Sequence, residues 1–151
     1  MTAPWRVALL VLPAAVLLAA CGSAPSSPAQ QVQNWGASTG FTGTLRQLRG
    51  DLRRVPTVSG APGGQRRTVC DVLVTDALAA NEQLPTPDGT LTTLLGRAYS
   101  TAGSSGRACF SGASPSMADA DAQSALRLLV QAEARYDAVT SSLVTPSPSP
   151  P

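Results

Sequence analysis

The 151-residue sequence contains no histidine and no lysine. Without histidine there is no ordinary proton shuttle near neutral pH and no imidazole metal site. Without lysine there is no amine for Schiff-base chemistry. Serines are plentiful, but a serine nucleophile needs a base to activate it, and none is apparent. No glycine-rich phosphate loop follows a strand-like run. Aromatic residues are only 4% of the chain. Beyond the first 21 residues they are Trp35, Phe41, Tyr99, Phe110 and Tyr136, too few for base-stacking platforms. Eleven arginines face nine acids. That balance gives no general drive toward nucleic acid or strongly acidic partners. Together these absences speak against an enzyme and against a nucleic-acid binder.

What is present begins at the N-terminus. Arg6 precedes an apolar stretch over residues 7–20, which closes on Leu18-Ala19-Ala20-Cys21. A positive charge, an apolar middle and small residues before a cut site make a secretory signal peptide. The stretch is too short to span a bilayer, which needs about 20 residues, and Pro13 interrupts it. The run ending in Cys21 resembles the bacterial lipobox, whose cysteine is lipidated and becomes the first residue after cleavage. The resemblance implies a diacylglyceryl lipid (palmitate-type acyl chains) on Cys21 and a place on the extracytoplasmic face of the cell membrane. Each buried CH₂ contributes roughly 0.8 kcal/mol, and two chains anchor stably. The alternative is an ordinary signal peptide in which Cys21 is incidental. No other cofactor is expected.

The expected boundaries are a signal peptide over 1–20, the lipidated cysteine and a flexible Ser/Pro/Ala/Gln linker over 21–40, a helical domain over 41–143 and a Pro/Ser-rich tail over 144–151. About 130 mature residues suffice for one compact domain. Loss of Arg6 leaves a net charge of +1. Cys70 and Cys109 remain as a pair, and in an exported chain a disulfide is the default. Closing a loop of about 40 residues constrains the unfolded chain by roughly 4 kcal/mol in the chain-entropy model. A redox-active pair is the rival, but the spacing is far from C-x-x-C.

Apolar spacing predicts four helices and no strand, hence an all-α, antiparallel four-helix bundle. The first covers 41–55, with Phe41, Leu45, Leu48, Leu52 and Val55 on one stripe and Pro56 as its stop. The second covers 68–83. Its wide apolar face includes Val69, Cys70, Leu73, Val74, Ala77, Leu78 and Ala80, which suits contact with two neighbours. The third follows Thr86 as N-cap, Pro87 and Asp88, and carries Leu91, Leu94, Leu95, Ala98, Ala102 and Cys109. The Gly103–Gly106 patch weakens it near its end. The fourth starts from a box-like Ser116–Asp119 pair and turns Ala125, Leu128, Leu129, Ala132, Tyr136, Val139 and Leu143 inward. Straight helices would leave the two cysteines out of register by roughly 13 Å. Either residues 84–88 run extended along the bundle, which is the favoured solution, or the Gly103–Gly106 patch bends the chain back.

Two carboxylate pairs and one arginine stripe invite functional readings. Asp119 and Asp121 at a helix start suit capping and the helix dipole better than a cation site. Glu133 and Asp137 read as an exposed like-charge i,i+4 pair rather than a catalytic one. Arg46, Arg49 and Arg53 share a flank of the first helix, and Arg54, Arg66 and Arg67 follow. Such a group could meet lipid phosphates or an anionic wall polymer, each charge contributing about 1 kcal/mol near an anionic surface. The favoured reading is a solvated flank whose stems cover apolar edges.

The segments Cys70-Asp71-Val72-Leu73, Ala79 to Asp88, Leu94-Leu95 and Ala108-Cys109, with the lipobox, resemble a group of uncharacterised actinobacterial lipoproteins. That group supplies no activity or functional residue to carry over. The expected function is a non-enzymatic, lipid-anchored binding or interaction module at the cell envelope. Its partners would be the membrane and an envelope protein or anionic wall polymer. A carrier of a small apolar ligand between the helices is the alternative, though the alanine-rich interior argues for close helix approach. A hydrolase ranks third.

Overall fold

A computed structural model describes residues 26–58, 61–112 and 114–143. Cys21, the signal segment and the Pro/Ser-rich tail expected over 144–151 lie outside the described residues. Within them the chain forms five helices and no strand: α1 (Pro28–Thr39), α2 (Phe41–Val58), α3 (Gly63–Asn81), α4 (Gly89–Ser111) and α5 (Pro115–Ser141). The helices α2 to α5 pack as an antiparallel ring in chain order, α5 closing back on α2, and α1 lies against α5 and the start of α2. The expected four-helix bundle is therefore present, with one helix added to its side.

That added helix corrects the expected linker. Ser27 and Gln30 form a reciprocal capping box. The Ser27 hydroxyl accepts from the Gln30 amide at 3.2 Å, and the Gln30 side chain accepts from the Ser27 amide at 2.9 Å. Pro28 takes the first turn, and Gly40 ends the helix in the left-handed region at φ 65°. Both are standard terminal devices. Ala29, Val32 and Gly36 form the buried face. Gly36 sits under Tyr136: a Cβ there would lie 2.5 Å from the phenol oxygen. Residues Ser27–Ala29 lie beside Ala138, Val139 and Ser142. The described chain therefore enters and leaves at the same end of the bundle.

The predicted stripe of α2 is buried as expected, with Asp51 and Val58 added. Pro56 does not stop the helix, which runs to Val58. A proline in the last turn removes one amide bond, and the burial of Val58 (6% exposed) offsets that loss. Helix α3 starts at Gly63, five residues before the expected Thr68. Its buried face is Cys70, Leu73, Ala77 and Ala80, narrower than predicted, since Leu78 is exposed.

The register problem is solved in the connector. Cys70 lies eleven residues before Asn81, and Cys109 lies twenty after Gly89. Helix α4 is continuous through Gly103–Gly106, so the chain does not bend there and residues 82–88 take up the offset. The cysteines form a disulfide with Cα atoms 5.8 Å apart. The glycines serve close approach instead. A Cβ on Gly106 would lie 3.1 Å from the Cys70 carbonyl oxygen and 2.7 Å from Val74 Cγ2.

Two expected caps are displaced. Asp88, not Thr86, caps α4, accepting from the Leu91 amide at 2.7 Å. Thr86 instead ties the connector together, donating to the Asp88 carbonyl at 2.7 Å. Helix α5 begins at Pro115 after Ser114, so Ser116 lies inside it and the Ser116–Asp119 box does not form. Leu143, expected inside, is exposed. Buried Ser105 donates to the Ala118 carbonyl at 2.8 Å, joining α4 to α5.

Candidate functional site

The arginines expected to act together are divided by the fold. On α2, Arg46, Arg49 and Arg53 line an open groove of about 270 Å³ with Thr42 and Glu133. The central member is engaged. Arg49 donates a two-pronged pair of bonds to Glu133 of α5, at 2.8 and 3.1 Å, and a third to the Leu129 carbonyl at 3.3 Å. The guanidinium holds the Glu133 carboxyl below its ordinary range, chiefly through these bonds. Glu133 is thus a cross-helix ion-pair partner, not half of an exposed like-charge pair with Asp137. Arg46 and Arg53 are exposed and make no ion pair among the described residues.

The other three arginines point to intramolecular roles. Arg54 approaches Asp51 at 3.8 Å. The half-buried Arg66 packs against Gly112, Ala108 and Pro115 where α4 ends. The guanidinium of Arg67 lies 5.8 Å over the Phe110 ring, a cation–π geometry. The six-arginine group thus reduces to an α2 face of Arg46 and Arg53 around a neutralised Arg49.

A second polar feature lies on the α2–α3 seam and was not anticipated. Asp51 is 7% exposed. Its Oδ2 is buried and meets no hydrogen-bond partner among the described residues, and Asp76 on α3 lies close enough to disfavour its charged form. The Gln47 side chain donates to Asp76 at 2.8 Å. Burial first, and the Asp76 contact second, push the Asp51 carboxyl up to about 6 against the pull of Arg54. Beside it, Thr44, Gln47, Leu48, Asp76 and Gln83 line a shallow groove of about 90 Å³. No sequence signal marks Asp51, because its burial is set by where α3 lands.

A third pair ties the connector to the last helix. Arg135 of α5 donates to both Asp88 oxygens, at 2.6 and 3.1 Å. Asp88, which also caps α4, is held below its ordinary range chiefly by that arginine. Among the described residues no group of three or more His, Cys, Asp or Glu side chains is placed to hold a metal ion. No described helix is long and apolar enough to cross a membrane.

These features define a small all-α bundle with one disulfide and polar pairs on its seams. No protein-family model, curated protein or solved structure matches the chain.

Proposed function

We propose that the chain is a non-enzymatic interaction module, held by a lipid on Cys21 at the extracytoplasmic face of the cell membrane. On this reading its α2 face meets an anionic partner of the envelope, a wall polymer or the lipid surface itself. The observation that carries this is the pair of exposed guanidiniums, Arg46 and Arg53, which make no ion pair among the described residues and flank the groove that Arg49 and Glu133 floor. They lie seven residues apart on α2, about 10 Å along one helix face. Two unpaired charges on one face add attraction that salt screens.

The carrier alternative draws less support. The interior is filled by Leu and Ala side chains such as Leu73, Ala77, Leu95, Ala98 and Ala132 in one cluster. The grooves on the α2–α3 and α2–α5 seams lie open to solvent rather than enclosed in the core. The test is co-sedimentation of the full chain with vesicles of anionic or zwitterionic lipid, and with anionic wall polymer, at low and high salt. Binding at low salt that falls on Arg46→Ser with Arg53→Ser supports the reading. Equal sedimentation of parent and variant with every partner, at either salt, would end it. Replacement of Cys21 by Ser tests the anchor separately: the protein should leave the membrane fraction.

A further inference from the structure

We propose that the groove between α3 and α4 is a docking site for a short extended segment of a partner protein, one that carries an apolar side chain followed by a carboxylate. The groove measures about 210 Å³. It lies where Ala77, Leu78 and Asn81 of α3 face Tyr99, Gly103 and Arg107 of α4. In the ring of α2 to α5 this seam is opposite the α2–α5 groove. The two surfaces are therefore separate, and this one does not rest on the arginines of α2.

Three features of the groove lack a partner within the described chain. Leu78 stands 57% exposed at the lip. An exposed leucine alone is ordinary surface; beside an apolar groove it extends what a partner can bury. Tyr99 is 2% exposed. Burial raises its phenol above the ordinary range, and no hydrogen-bond partner contributes. Buried hydroxyls ordinarily find a partner, so a protonated donor is left at the groove wall. Arg107 is exposed and makes no ion pair among the described residues. Its guanidinium folds back over the groove floor: a Cβ on Gly103 would lie 3.3 Å from Arg107 Nη1. It donates to the Ser104 hydroxyl at 3.2 Å, a neutral partner that leaves the charge unbalanced.

Charge and spacing select the occupant. Tyr99 and Arg107 lie eight residues apart on α4, about 12 Å along the helix axis. An extended chain covers that distance in about four residues. A backbone carbonyl at one end accepts from the phenol. A carboxylate at the other end pairs with the guanidinium, and the apolar side chain between them covers Leu78. A fatty acid carries its acceptor atoms at one end only and leaves one donor unmatched. The disulfide and the close contact at Gly106 hold α3 against α4. The groove is thus formed before its occupant arrives, which lowers the ordering cost of binding.

The test presents random heptapeptides on phage to the full chain in nanodiscs of zwitterionic lipid. Recovered sequences should share an apolar residue with Asp or Glu about three positions away. A fluorescent synthetic copy of the tightest one should bind about tenfold more weakly to Leu78→Ser and to Arg107→Gln, the loss of one anchor contact each. Both side chains are exposed, so both variants should fold. Tyr99→Phe keeps the ring and should also weaken binding. Arg46→Ser with Arg53→Ser should bind like the parent, which separates this site from the α2 face. Recovered peptides without an acid would overturn the docking site, as would binding untouched by Leu78→Ser and Arg107→Gln. A selection that recovers nothing above empty nanodiscs would do so too. Dimerisation of the peptide-free chain that Leu78→Ser abolishes would replace the partner segment with a second copy.

Discussion

The α3–α4 hairpin and the α1–α2 arm are held by opposite means. In the hairpin a disulfide crosses the seam, and glycine lets one helix backbone approach the other: the Cys70 carbonyl oxygen lies 3.1 Å from where a Gly106 Cβ would sit. In the arm the contacts are large rings and polar pairs. Phe41, 1% exposed, packs between Trp35 and Tyr136 with centroids 5.2 and 4.8 Å away. Trp35 donates to the Gln83 carbonyl at 3.1 Å, and Arg49 bridges to Glu133. Close backbone packing tolerates no added atom. Side-chain packing can yield, and polar pairs respond to pH and salt. The difference teaches which half is the frame and which half can move.

The comparison can be broken most sharply at Phe41. Phe41→Ala removes the ring that joins α1, α2 and α5, and should cost about 3–5 kcal/mol. Denaturant unfolding measures the loss, and amide exchange should show α1 protection falling most. Replacing Cys70 and Cys109 together by Ala should cost about 2–5 kcal/mol, with α3 and α4 losing protection instead. If both variants loosened the same helices, the two halves would be one cooperative unit.

Glycine substitutions sharpen the contrast. Gly106→Ala should destabilise by about 1–3 kcal/mol, because the new methyl meets backbone atoms as well as Val74. Gly36→Ala meets first the outer atoms of the Tyr136 ring, side chain rather than backbone, and alanine favours the helix by about 0.5–1 kcal/mol. Its net effect should be smaller than that of Gly106→Ala in the same thermal assay.

The smallest effect belongs to the ion pairs. Arg49→Gln should cost about 1 kcal/mol or less, since both partners reach water. Glu133 and Asp88 are held below their ordinary range. Their contributions are present above that range and are lost as pH falls through their lowered values. A pH series of unfolding midpoints should show that acid loss, and Glu133→Gln should reduce it.

The sequence made the four ring helices legible because their apolar residues repeat at helical spacing. Phe41, Leu45, Leu48, Leu52 and Val55 all reached the core, and the cysteine pair closed as expected. Helix α1 was missed because Ser, Pro, Ala and Gln read as linker. The Ser27–Gln30 box was the available signal, and its short apolar face, Ala29 and Val32, gives a weak period. Pro56 misled because burial of Val58 outweighed a local stop. The candidate surfaces were only partly legible. Arg46, Arg49 and Arg53 do share a face, but the link of Arg49 to Glu133 spans 84 positions, and nothing local announces it. Asp51 became a buried acid only through the packing of α2 against its neighbours, which no local pattern announces.

One consequence follows from the entry and exit of the described chain at a single pole. Between Cys21 and Pro28 lie six residues, a leash that cannot exceed about 25 Å at full extension. On the proposed reading, in which Cys21 carries the lipid, the body would hang close to the membrane, with Leu143 on the near side and the cystine on the far side. A fluorophore placed after Leu143 should then be quenched by a bilayer-embedded dye, while one in the turn between α4 and α5 should stay bright.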